Sequence, residues 1–362
     1  MKRSLGLLVV AAILASSVVH LAIRELGCSS TSTEEVVRKP YFSSSSSEEE
    51  EQKEGVAQEE RCEGGRVAVC FYGLNRSLRH TMASMSEKLF GPLERSKLCA
   101  DVFFHTWTIK AVEDQHNGEK GVPLGGPWEM FRLLGKRVKR YAIDDQDFFD
   151  KFQSNFSKFD PLDHRFRGPN FRNLLRQLES LKRVAQLLSL ENHDYQAVLF
   201  VRPDLKLLDE VNVSQVLDLD ENDFLTPYWG KYTGLNDRLA AAKPRAARKF
   251  AYRKDLAYDF AKSRGFIRSE HFLRWTIVEH FNLRPLPWNL RAQRVRATGK
   301  VADNDVCLDY CHPDKPLSCK GDCRALIPPD MHQPPRPLWA DLQKERDRIA
   351  GKTTKDEDHF FS

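Results

Sequence analysis

The chain lacks the short motifs that mark several large enzyme classes. It contains no Gly-x-x-x-x-Gly-Lys-Ser/Thr, no Gly-x-Gly-x-x-Gly after its first apolar run, no His-Glu-x-x-His and no Gly-x-Ser-x-Gly. These absences exclude P-loop nucleotide hydrolases, dinucleotide oxidoreductases, zincin proteases and typical α/β-hydrolases. No internal repeat or compositional bias across the 362 residues marks the chain as fibrous or disordered throughout. It also has little excess charge. A formal net charge of +5 gives no electrostatic footprint for nucleic acid, and the aromatics are not interleaved with a basic patch.

What is present begins at the N-terminus. Lys2 and Arg3 precede Leu5 to Ile23, nineteen residues without Asp, Glu, Lys or Arg, close to the roughly 20 that cross a bilayer core as a helix. This predicts a cytosolic tail at 1–4, a transmembrane signal anchor at 5–23 and a single-pass type II membrane protein, with Arg24 weakening the positive-inside bias. The alternative is a signal peptide cleaved near Ala15-Ser16-Ser17, but Val18, Val19, Leu21 and Ile23 extend the apolar run beyond the usual length of such a segment. Either way the rest of the chain enters the secretory pathway. Residues 24–63 are Ser- and Glu-rich and have too few large apolar residues to fold, which predicts a flexible stem. Tail, anchor, stem and body in that order are the organisation of a Golgi-membrane enzyme with its body in the lumen.

Three Asn-x-Ser sequons, at Asn75, Asn155 and Asn212, and eight cysteines fit that compartment. Cys307, Cys311, Cys319 and Cys323, beside His312, are spaced for two disulfides stapling an appendage at 305–325, or for a zinc knot. Cys28, just outside the membrane, would allow a disulfide-linked homodimer.

The body, residues 64–327, opens with Arg66 to Tyr72, an apolar run of buried-strand type, followed by a turn at Gly73 to Ser77 and a helix over Leu78 to Leu93. Ala100 to Thr106 and Lys136 to Ile143 read as further strands, and Phe148 to Phe159 as a helix. Asn170 to Glu191 carries a wide apolar stripe at three- and four-residue steps, the strongest helical signal in the chain. Ala197 to Val201 is another buried strand. Phe224 to Trp229 reads as an edge strand because Pro227 cannot donate to a ladder. Helices follow over Lys243 to Arg264 and Glu270 to Phe281, then a last strand at Arg294 to Ala297, and a Pro-rich, charged tail at 328–362. Strands alternating with helices predict an α/β fold with a mostly parallel, doubly wound sheet. Ligands of such sheets bind beyond the carboxyl ends of the strands, here Gly73 to Arg79, His105 to Trp107 and Arg202 to Asp204.

The strand Ala197 to Val201 delivers Arg202 and Asp204 to that edge. Transfer of a sugar from a nucleotide donor requires the leaving diphosphate to be neutralised by a carboxylate-held divalent cation or by Arg and Lys. Asp204 is the candidate metal ligand, for Mn2+ or Mg2+, and Arg202 the candidate phosphate contact. The plainer reading is an ion pair that closes a strand end.

Gln177-Leu-Glu-Ser180 on the amphipathic helix, Tyr195-Gln-Ala-Val198 and Arg202-Pro-Asp-Leu205 together resemble a poorly characterised group of GT-A-like glycosyltransferases in which Arg-x-Asp stands where others carry Asp-x-Asp. Cys70 to Leu78 is similar to the donor-binding first strand and turn of that group. Gly234-Leu-Asn-Asp-Arg238 and Ser269-Glu270 resemble two later motifs. The similarity spans about Arg66 to Gly299.

The resemblance implies a GT-A-like fold, a nucleotide-sugar donor and a glycan, protein or lipid acceptor. By it, Gly73, Arg76 and Arg79 lie near the nucleotide, Arg176 or Gln177 near the donor sugar or phosphates, and Arg202 and Asp204 at the diphosphate. Asp237 and Glu270 become the acceptor-side carboxylates, with Asp237 preferred as general base. The absence of a plain Asp-x-Asp leaves metal dependence open. Lys243, Arg245, Arg248, Lys249, Arg253 and Lys254 are either a solvated helix face or a substitute for the metal. A glycan on Asn75 would stand in the donor loop, so Asn155 or Asn212 is the expected acceptor. The competing function is a catalytically inactive luminal partner that binds glycans or assembles with a transferase. A sulfotransferase using Gly73 to Arg79 as an anion loop lacks the Lys expected there.

Overall fold

The computed structural model describes residues 62–114, 119–126, 128–152, 169–231, 234–264 and 267–302, with Asp305 and Leu308. Among them no helix is long and apolar enough to cross a membrane. The predicted anchor, almost all of the stem, the cysteine cluster at Cys307 to Cys323, Asn155 and the tail lie outside the described residues.

The centre of the molecule is β1 (Arg66–Tyr72), buried along nearly its whole length. It pairs in parallel with β2 (Cys99–Thr108) on one side and β6 (Ala197–Val201) on the other. β2 pairs in parallel with β5 (Val138–Asp145) at the edge. Beyond β6 the sheet continues through β9 (Leu239–Ala242), which is antiparallel to both neighbours, then β8 (Asp223–Pro227) and β10 (Arg284–Trp288). Seven strands therefore run in the order β10-β8-β9-β6-β1-β2-β5. A hairpin of β3 (Val112–Asp114) and β4 (Glu119–Val122) and a ribbon of β7 (Leu205–Leu207) with β11 (Ala292–Arg294) stand outside it.

The two-residue period of β1 sorts its side chains onto two faces. Val67, Val69 and Phe71 pack beneath α1 (Leu78–Met85), which continues through a π-helical turn into α2 (Gly91–Arg95), and beneath α3 (Trp128–Leu134). Ala68, Cys70 and Tyr72 face α5 (Pro169–Leu188), which follows the short α4 (Gln146–Lys151), and also face α7 (Pro244–Ala251). The short α6 (Val213–Leu217) precedes β8. Leu174, Leu175 and Leu178 of α5 pack against Ala257 and Phe260 of α8 (Lys254–Arg264). Each large side chain so enclosed contributes about 1.5–3 kcal/mol, so α5, apolar on a wide stripe, is fixed over the sheet.

Two expectations are corrected. β8 lies inside the sheet, and Pro227 is tolerated because it is the strand's last residue, past the two positions, Phe224 and Leu225, at which β9 pairs. The edge belongs instead to β10, whose Pro285 and Pro287 suit a strand bonded on one side only. The last strand is shorter and earlier than Arg294 to Ala297 and joins β7 rather than the main sheet.

Cys62 and Cys99 form a disulfide that ties the segment before β1 to the start of β2, beside the Gly64 N–H to Lys97 carbonyl and Cys99 N–H to Gly65 carbonyl bonds. It closes a loop 37 residues long. A Cys62→Ser/Cys99→Ser double variant is expected to lose about 2–4 kcal/mol of stability in urea unfolding. An unchanged midpoint would show that the bridge does not constrain the domain.

Candidate functional site

Three strand exits and two later segments meet at the carboxyl edge of the sheet. At the end of β1, Gly73 turns the chain with φ +97°, a region that glycine enters without cost. Its N–H donates to Ser180 Oγ at 2.6 Å. Ser180 is buried on α5 and lies 2.7 Å from His105 Nδ1 of β2, while His105 Nε2 lies 3.1 Å from Asp144 Oδ2 of β5. Asp–His–Ser is also the composition of a nucleophilic triad. Here, however, the serine oxygen has no exposed surface and is shared among the Gly73 N–H, the His105 ring and the His105 carbonyl at 3.2 Å. It anchors the β1 turn to β2 instead of attacking a substrate. The sequence marked His105 and Ser180 separately, but nothing in their spacing joined them to Asp144.

One turn earlier on α5, Gln177 faces the same edge, as an i, i+3 pair must. Its Nε2 donates to Asp237 Oδ2 at 2.7 Å, and its Oε1 accepts from Arg202 Nη1 at 3.4 Å. Gln177 therefore bridges the exit of β6 to the loop before β9. At the exit of β6, Arg202 grips Asp204 with two bonds, Nε to Oδ1 at 2.9 Å and Nη2 to Oδ2 at 2.5 Å. Burial alone would raise the Asp204 carboxyl, but the charge and hydrogen bonds of Arg202, with Arg76 and Arg294 beyond it, hold it down at about 2.

The two later motifs are brought together. The Leu235 N–H donates to the Glu270 carbonyl at 3.1 Å. The Gly234 backbone lies so close to Glu270 that a Cβ there would meet the Glu270 carbonyl oxygen at 2.1 Å. Ser269, at the start of α9 (Ser269–Arg274), donates through Oγ to Asp237 Oδ2, and Tyr72 Oη donates to the Asp237 carbonyl at 2.6 Å. The two carboxylates diverge in character. Burial would raise Asp237, but the charges of Arg238, Arg202 and Arg253 and the Ser269 hydroxyl bring it below the usual range. Burial and the negative charge of Asp237 push Glu270 up to about 7. Glu270 is thus the more basic of the two carboxylates.

The remaining candidates divide. Arg76 approaches Glu119 of β4 at 3.4 Å. Arg79 is exposed and donates to the Ala297 carbonyl at 3.3 Å. Arg176 turns to Asp150 of α4 and Asn173, so its recorded partners lie on helices and not among the strand-end groups. The basic run does not form one solvated face. Arg253 has no exposed surface, stacks its guanidinium 4.1 Å from the Phe250 ring and is lowered to about 10 by burial. Lys254 pairs with Glu179, Lys243 bonds the Leu217 carbonyl and Lys249 the Phe281 carbonyl, leaving Arg245 and Arg248 as the exposed cations of the run. Two site residues were not foreseen, Arg294 and Asp305, which pair at 2.7 and 2.9 Å.

Each oxygen of Asp204, the candidate metal ligand, accepts a bond from Arg202. Among the described residues no group of three or more His, Cys, Asp and Glu is arranged to hold a metal ion. Asn75, buried, uses its side-chain nitrogen on the Gly126 carbonyl and Glu129, whereas Asn212 is exposed and caps α6 through its oxygen.

Two stability effects follow. Asp204→Asn removes the charge opposing Arg202 and is expected to cost about 3–5 kcal/mol at neutral pH in urea unfolding. Glu270 titrates higher in the folded than in the unfolded chain, so its stabilising contribution is present at low pH and lost as pH rises through about 7. Glu270→Gln should therefore raise the Tm at about pH 8 and change it little at about pH 4. The opposite ordering would refute the raised pKa.

No protein-family model matches the chain, and no curated protein is similar to it. Among solved structures it is similar to the apo glycosyltransferase GlyE of Streptococcus pneumoniae TIGR4, at 11% identity and a TM-score of 0.33, over 61% of this chain and 45% of GlyE. The chain thus spans less than half the length of GlyE. It is also similar to the galactosyltransferase LgtC bound to donor and acceptor sugar analogues, at 12% identity and a TM-score of 0.32, over 59% of this chain and 70% of LgtC. A third likeness is to mouse xyloside xylosyltransferase 1, at 9% identity and a TM-score of 0.35, over 62% and 85% of the two chains. Likenesses this loose carry no argument about the activity of this chain.

Proposed function

We propose that this chain is a glycosyltransferase with a GT-A-like domain, moving a sugar from a nucleotide-sugar donor to a glycan, protein or lipid acceptor. The observation that carries the reading is the joining of the Arg202–Asp204 turn through Gln177 to the Asp237 carboxylate, which also accepts from Ser269, the residue before Glu270. An anion-neutralising group and a proton acceptor are thereby held at one edge of one sheet, where an α/β fold binds its ligand.

In this reading the donor diphosphate lies against Arg202 and the β1 turn. Glu270 takes the proton of the acceptor hydroxyl as that oxygen attacks the anomeric carbon. The bond from that carbon to the donor phosphate breaks, and its electron pair leaves with the diphosphate. Asp237, kept ionised by its arginine neighbours, raises the basicity of Glu270. Residues 5–23 and the stem support placement as a type II protein of the Golgi membrane, with this edge in the lumen.

The test uses the purified full-length chain and a panel of nucleotide sugars, read by donor hydrolysis and transfer. One donor should be turned over, kcat/KM should rise with pH through about 7, and Glu270→Gln should lower turnover by about 10²–10⁴-fold. If no donor is turned over and none raises the Tm, the transferase reading fails and the inactive-partner reading replaces it. Luminal placement is tested separately by glycosidase treatment of protein from secretory cells. Asn212→Gln or Asn155→Gln should remove a glycan and Asn75→Gln should not; an unglycosylated chain would count against this placement.

A further inference from the structure

Three ion pairs at the sheet edge share one orientation. In Arg202–Asp204, Arg76–Glu119 and Arg294–Asp305, the arginine side chains keep 22%, 15% and 17% of their surface exposed, while the acids keep 3%, 1% and 3%. In each pair the acid is enclosed and the arginine is the partner that solvent reaches. The three are neighbours. Arg76 and Arg294 both act on the charge of Asp204, and Arg294 feels Arg202. Two of the acids have other partners. Glu119 also accepts from the Ala297 N–H at 2.5 Å, and Asp305 Oδ2 accepts from the Arg294 N–H at 2.9 Å.

We propose that the site holds the donor diphosphate without a divalent cation, the guanidinium groups of Arg76, Arg202 and Arg294 standing where the ion would be. This deepens the transferase reading and rests on it. A cation at Asp204 would have to displace a two-bond guanidinium from a carboxylate 2% exposed, with Arg76 and Arg294 also acting on that carboxylate. Arginine suits the task. Its guanidinium carries more donors than one carboxylate accepts, so it can hold its acid and still present positive charge to a phosphate, and it stays charged across the physiological range.

The experiment is calorimetric titration of the full-length chain with UDP, GDP and ADP, first in EDTA and then with Mn2+ or Mg2+. The expected result is that one nucleoside diphosphate binds in EDTA and that its Kd changes less than about threefold with either ion. Arg202→Lys and Arg294→Lys, which keep charge but lose the guanidinium, should each weaken it about tenfold or more, equal to about 1.4 kcal/mol. Circular dichroism confirms that each variant is folded, and the comparison of EDTA with metal on the native chain stands independently of them. Binding that appears only with Mn2+ or Mg2+ overturns the proposal and leaves the transferase reading intact. Binding in EDTA that neither lysine variant weakens also overturns it. If no nucleoside diphosphate binds in any buffer, the transferase reading itself fails.

Discussion

Asp204 has almost no exposed surface, yet it remains ionised because Arg202 meets both its oxygens. The turn that carries the pair is pinned from two sides. Thr81 of α1 donates to the Pro203 carbonyl at 2.8 Å, and the Val295 N–H donates to the Asp204 carbonyl at 2.7 Å. Through Gln177 the same arginine is tied to Asp237, and through Asp237 to Ser269 beside Glu270. A buried pair that loses one partner leaves an uncompensated charge. The geometry of the whole edge therefore depends on Arg202 and Asp204 remaining together.

The division of labour between the two later carboxylates follows from that arrangement. Asp237 is surrounded by Arg202, Arg238 and Arg253 and stays negative. Its charge, added to burial, is what raises Glu270. Two acids side by side thus acquire different roles from their surroundings, a pattern that pKa tuning requires of acid–base sites. Arg253 contributes from inside the core, where its Nε and Nη2 have no hydrogen-bond partner. Its closeness to Asp237 and Tyr72 partly offsets the cost of burying it.

Much of this frame was legible in the sequence. The apolar runs of β1, β2 and β6 and the stripe of α5 identify themselves because uninterrupted burial requires apolar side chains. Arg202 and Asp204 stand out because they end such a run. β9 was missed because Leu239-Ala-Ala-Ala242 has neither the branched side chains nor the alternation of a strand; neighbours on both sides supply its pairing. β10 was missed because its two prolines argue against any strand except one at an edge. The Cys62–Cys99 bridge and the Asp144–His105–Ser180 chain join residues far apart in sequence, and the Arg294–Asp305 pair closes across a turn of the chain beyond β11. Such pairings are created by topology and leave no local spacing to read. The preference for Asp237 over Glu270 rests on a Gly-rich loop that suggests a site; of the arginines that lower Asp237, only Arg238 is its neighbour in sequence, and Arg202 and Arg253 come from two other segments.

The central claim is that one sheet edge holds both the donor diphosphate and the proton acceptor. A crystal structure of the chain with a stable nucleotide-sugar analogue tests it most directly. The account predicts the diphosphate in hydrogen-bond contact with Arg202, and the anomeric carbon on the side of the sugar that Glu270 faces. A ligand bound elsewhere on the molecule, or at this edge with Glu270 turned away from the sugar, would contradict it.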